Sequence, residues 1–186
     1  SDPQNCSVLI FADLQAPAGA EALRYMDALL ECSLSLSYSL IMQKQIHYLA
    51  WYGKKHGACT RVRIAQEKDL FEAVDGLLAA EILQGAARDL TAYLAEHPND
   101  QYTDLFYVTG DISEEKLNAM SMLHADRRQL FHISGTAFTP GAEDFCDTDR
   151  QAVLAGYKED AAEMGIGFIT MDIGNIKNEI EQLNLS

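Results

Sequence analysis

Ser7-Val8-Leu9-Ile10-Phe11-Ala12-Asp13-Leu14-Gln15-Ala16-Pro17-Ala18-Gly19-Ala20 is the stretch whose reading decides the fold of this 186-residue chain. A short continuous apolar run breaks at an acidic residue, then meets a Pro and a Gly, then enters a long helical pattern. That grammar describes a buried parallel strand feeding a helix through a tight loop. In open α/β sheets the loop at the carboxyl end of such a strand is where ligands bind. Asp13 is therefore the first candidate residue, with Gln15 and Pro17 in the same loop.

Working outward, Leu23, Met26, Leu29, Leu30, Leu36, Leu40 and Ile41 recur at helical spacing from Gly19 to about Gln45. Ser33, Ser35, Ser37 and Ser39 alternate with apolar residues inside that pattern, which is a strand period, but the helical stripe runs through without punctuation and a helix is expected. Ile46–Tyr52 and Cys59–Ala65 read as strands joined by a turn at Gly53–Gly57, too short for a crossover, so they form an antiparallel hairpin. Arg61 and Arg63 alternate with Val62 and Ile64, which places the second strand at a sheet edge. Helices follow at Glu67–Ile82 and Ala86–Glu96, then a strand through Leu105–Val108 whose polar end, Thr109-Gly110-Asp111, repeats the opening grammar before Ser113 starts a helix. A strand at Gln129–Ser134, a loop over Gly135–Thr148, a helix at Asp149–Met164, a strand at Gly165–Met171 and a helix at Ile173–Leu183 complete the chain. The expectation is one domain over residues 1–186, a fragment of a longer protein.

The composition narrows the partners. Fourteen Lys and Arg against 28 Asp and Glu give a formal charge of −14, which repels phosphate backbones and anionic lipid, so nucleic acid is not an expected partner. The four cysteines form no C-x-x-C pair, so reduced thiols and a cytoplasmic setting are expected, with neither a zinc site nor a disulfide framework. No apolar run reaches membrane-spanning length, so this segment is not expected to insert in a membrane. Oligomeric state is left open.

The order of elements resembles the von Willebrand factor type A domain: a strand ending in an acidic loop, a long helix, a hairpin, two helices, then strand and helix three times over. More narrowly, Ser39-Leu40-Ile41-Met42-Gln43 before His47-Tyr48-Leu49, and the strand from Leu105 to Asp111, resemble the type A-like domain of a bacterial family of unknown function whose genes lie beside MoxR-type AAA ATPases. The resemblance implies a three-layer, Rossmann-like α/β fold with a six-stranded, mostly parallel sheet in order 3-2-1-4-5-6 and strand 3 antiparallel. It also implies a MoxR-type ATPase as partner and a parent protein anchored in the membrane. Type A domains bind a divalent metal through a D-x-S-x-S loop, a Thr and a later Asp. Here Asp13 matches the leading Asp, but Gln15 and Pro17 stand where the serines belong, and Asp111 falls two positions beyond Thr109. Magnesium requires near-octahedral oxygen ligands, so the loss of two hydroxyls leaves a degenerate metal-ion-dependent adhesion site with no metal or other cofactor expected.

The other constellations stay silent. The five histidines show no ligand spacing, and neither Thr109 nor Ser134 sits in a nucleophile elbow. Gly165-Ile166-Gly167 precedes a strand where a phosphate loop must follow one. Asp13 and Asp111 themselves read as loop acids that cap helices or accept backbone N–H bonds. The expectation is a non-enzymatic interaction module that meets a protein through loops carrying Asp13, Gln15, Pro17, Thr109 and Asp111. The alternative is a divalent-metal hydrolase or phosphate-handling enzyme that uses Asp13 and Asp111.

Overall fold

In this computed structural model, residues 5–15, 22–53, 59–79, 89–134 and 147–183 are described. The strands are β1 (Asn5–Ala12), β2 (His47–Tyr52), β3 (Cys59–Ile64), β4 (Gln101–Thr109), β5 (His124–Ser134) and β6 (Ile166–Asp172). They pair in one sheet in order β3-β2-β1-β4-β5-β6, parallel throughout except for β2 with β3. The expected topology is thus the one observed, including the antiparallel hairpin with Tyr52 opposite Cys59.

Why β1 is central follows from its residues. Val8 to Ala12 are apolar on both faces and all nearly inaccessible, which only a strand covered on two sides allows. The helices are α1 (Ala22–Met42), α2 (Glu67–Ala79), α3 (Leu90–Glu96), α4 (Glu114–Met122), α5 (Asp147–Glu163) and α6 (Ile176–Glu181). Two apolar layers result: Val8, Ile10, Leu49 and Val108 pack with α1, α2 and α6 residues, while Leu9, Phe11, Tyr107 and Leu130 pack with α3, α4 and α5 residues.

The serine-rich part of α1 is helical, and its hydroxyls show how. Ser33 Oγ donates to the Leu29 carbonyl at 2.8 Å, and Ser37 Oγ lies 2.6 Å from His47 Nε2 on β2. Ser33 is thus satisfied within the helix and Ser37 by the neighbouring strand, so the stripe outweighs the alternation. The helix stops at a left-handed Lys44, with Lys44 N bonded to Ile41 O and Gln45 N to Leu40 O, a Schellman ending.

Boundaries differ from expectation chiefly in β5, which starts at His124 and not at Gln129. Its first half is polar and pairs with the equally polar start of β4, where Arg127 stands opposite Asp104 and bonds it at 2.6 Å. Helix α2 ends at Ala79 and α3 begins at Leu90 within the described residues; the remainder of the segment between them, and the loop 135–146, lie outside those residues.

Candidate functional site

Asp13 follows β1 directly, and its N–H donates to the Val108 carbonyl of β4 at 2.9 Å, so the first loop begins inside the sheet. Its carboxylate is buried on the face covered by α4. One oxygen, Oδ2, accepts three side-chain bonds: from Tyr107 Oη at 2.7 Å, Thr109 Oγ1 at 2.9 Å and Lys116 Nζ at 2.8 Å. Among the described residues the partners of this carboxylate are side chains from β4 and α4, where the sequence suggested a helix end or backbone N–H groups. The physical reason is depth: a residue continuous with a buried strand meets neighbouring strands before it meets a helix end.

Lys116 is the residue the sequence did not single out. Ser113 caps α4, its Oγ accepting from Lys116 N at 3.2 Å, and that cap orients the first turn over the end of β1. The buried ammonium then reaches Asp13 Oδ2, the Asp111 carbonyl at 3.1 Å, Asp111 Oδ2 at 3.1 Å and Gln15 Oε1 at 3.4 Å. Burial works against its charge, but Asp13 and Asp111 outweigh burial and raise its pKa above the ordinary lysine value. Burial and the Asp13 charge together push the Tyr107 hydroxyl well above its ordinary pKa, so it stays a donor. Thr109 Oγ1 also contacts the Asp111 carbonyl at 2.8 Å and accepts from Asp111 N at 3.0 Å, which folds the loop back on itself.

Four of the five candidate loop residues therefore converge: Asp13, Gln15 and Asp111 contact one ammonium, and Thr109 bonds Asp13 and Asp111 beside it. Pro17 lies outside the described residues. Asp111 is the open member, its side chain 45% exposed. One Lys and two Asp leave the cluster with a net charge of −1.

The same register continues across the edge. Thr109 stands opposite His132 on β5, and His132 opposite Thr170 on β6. Burial lowers the His132 pKa to about 4 against the pull of the Gly110 carbonyl and Asp111, so the ring is neutral at pH 7. Its Nδ1 and the Thr170 Oγ1 are enclosed without a hydrogen-bond partner among the described residues.

The architecture is that of a von Willebrand factor type A-like domain. Among solved structures, the crystal structure of the SpRpn10 VWA domain matches it with a TM-score of 0.54 at 10% identity, over 97% of this chain and 98% of that one. At that identity the likeness concerns the fold. No protein-family model and no curated protein matches the sequence.

Type A folds imply a divalent ion at this edge, and the described residues do not fit one. The oxygens that would hold it already face an ammonium at 2.8–3.4 Å, distances suited to N–H···O bonds and longer than the ~2.0–2.6 Å of magnesium or calcium coordination. A divalent ion placed among them would share the space with a buried like charge. Among the described residues no three His, Cys, Asp or Glu side chains gather as a metal site. The same ammonium stands between Asp13 and Asp111, where the alternative hydrolase reading needs its ion.

Proposed function

We propose that this domain is a non-enzymatic protein-interaction module with a degenerate metal-ion-dependent adhesion site, and that its partner is a MoxR-type AAA ATPase. The observation that supports this reading is the division of labour between the two acids: Asp13 is buried and braces the loops by accepting from Tyr107, Thr109 and Lys116, while the Asp111 side chain, also paired with Lys116, is 45% exposed. A braced loop edge with one open carboxylate, on a chain of charge −14, is suited to a basic patch on another protein.

The test is association of the full-length protein with its cognate ATPase, followed by surface plasmon resonance. The association rate is expected to fall as salt rises and the Debye length shrinks from ~30 Å to ~8 Å. Charge reversal at Asp111, or at Glu143 with Asp144, is expected to slow encounter more than it speeds release. No binding at low salt would refute the partner.

A further inference from the structure

We propose that the Lys116 ammonium is the resident cation of this loop edge, permanently taking the position between Asp13, Gln15 and Asp111 and making the edge independent of divalent ions. The inference rests on the geometry of the edge and stands whether or not the edge binds a protein.

Three observations carry it. First, the ammonium is surrounded by hard oxygens of three kinds: two carboxylates, a backbone carbonyl and a side-chain amide, all converging within 3.4 Å. That donor set is what a hard cation seeks, and a lysine supplies the charge without a binding equilibrium. Second, Lys116 sits in the first turn of α4, where the helix dipole disfavours a cation, so its position needs the compensation that Asp13 and Asp111 provide. Third, the fixed charge joins separate pieces of chain. Lys116 Nζ ties the loop after β1 to the loop after β4 and to α4, contacts separated by 103 and 5 residues in sequence. A bound ion would hold those pieces only at sufficient concentration; a covalently attached ammonium holds them always.

Truncating the side chain should turn the position into a vacant oxygen cage. Lys116→Ala is expected to respond to Mn²⁺ with a dose-dependent rise in Tm, about 3–6 °C at ten times Kd. The wild type should not shift. Lys116→Met, which fills the same volume with an uncharged chain, should not respond, and neither should Lys116→Ala combined with Asp13→Asn. A folded Lys116→Ala without a response would overturn the proposal. So would a wild type that shifts as much, or a response that survives loss of the Asp13 charge.

If Lys116→Ala does not fold, the wild type decides. Its Lys116 ammonium should give a slowly exchanging ¹H–¹⁵N signal that exposed lysines do not give. Millimolar Mn²⁺ should leave the Asp13 and Asp111 amides no more broadened than those of surface acids elsewhere. Selective broadening of those two amides would place the ion at the edge and overturn the assignment to Lys116.

Discussion

At the carboxyl edge of β1 and β4, Lys116 meets Asp13 at 2.8 Å with side chains 4% and 2% exposed; beside the amino end of β4, Arg61 of β3 meets Asp100 at 2.6 Å with side chains 30% and 24% exposed. Both clusters add tyrosine. Tyr107 donates to Asp13, while Tyr102 donates to Asp100 and shares a 2.6 Å hydrogen bond with Tyr93. By distance alone the Arg61 pair is the tighter one. Burial reverses that order, because water screens Arg61 and Asp100 but leaves Lys116 and Asp13 to each other. Near Asp100, loss of one partner hands the other to solvent; at the carboxyl edge it strands a charge in the interior.

The largest expected effect breaks the carboxyl-edge pair. Lys116→Met leaves the Asp13 carboxylate buried with two hydroxyl donors and no cation, at a cost of about 3–5 kcal/mol in urea unfolding. Asp13→Asn is expected to cost about as much, since the described counter-charge left to Lys116 is the half-exposed Asp111 carboxylate. The double variant should lose at least ~2 kcal/mol less than the sum of the two, the coupling that a direct buried pair gives. Additive losses would show that the two side chains are merely neighbours.

How far the sequence spoke for these regions differs as well. The edge position of β3 and the buried place of β1 were legible because alternation of Arg61 and Arg63 with Val62 and Ile64, and an uninterrupted apolar β1, are local patterns, whereas the strand order came from the resemblance of the whole run of elements to type A domains. The acid of the site was legible for the same reason, since Asp13 ends an apolar run. Its cation was not. Lys116 lies 103 residues away within Ser113-Glu114-Glu115-Lys116, which reads as the solvated first turn of a helix. A cation in that turn runs against the helix dipole, and that was the available signal. The polar start of β5 was hidden too, because Arg127 reads as loop until Asp104 is placed opposite it.

A second contrast lies in acid. His132 sits in the same row as Thr109 at the enclosed edge, with its pKa lowered to about 4 by burial, whereas the Arg61 and Asp100 side chains of the opposite cluster are 30% and 24% exposed. Above the ordinary histidine value of ~6.5 the ring is neutral in both folded and unfolded chains and contributes no pH dependence. Between about 6.5 and 4 the unfolded chain takes up the proton and the folded chain does not, so stability falls with pH and the loss saturates below 4. A depression of that size corresponds to about 3 kcal/mol. His132→Phe is expected to flatten this part of the stability curve, read from urea midpoints between pH 7 and 4. An unchanged slope would mean that the ring takes up its proton without unfolding.

The smallest expected effect is at the Arg61–Asp100 pair, and it tests the comparison from its other side. Arg61 has more partners than the ion pair alone: its Nη1 reaches Tyr93 Oη at 3.3 Å, and its guanidinium lies 5.4 Å from the centre of the Tyr48 ring. A single Arg61→Met therefore loses several contacts, and the pair has to be isolated by combining it with Asp100→Asn. The coupling energy so obtained is expected to be at most about 1 kcal/mol, since both groups keep much of their hydration and Tyr102 still donates to position 100. It should shrink further in ~1 M salt, where the Debye length is ~3 Å. The Lys116–Asp13 coupling should hardly change in the same salt, because ions do not enter a site whose side chains are 4% and 2% exposed. If the two couplings proved equal, or fell together with salt, the shorter distance at Arg61 would count for more than burial, and the carboxyl edge would be as open to solvent as the edge strand.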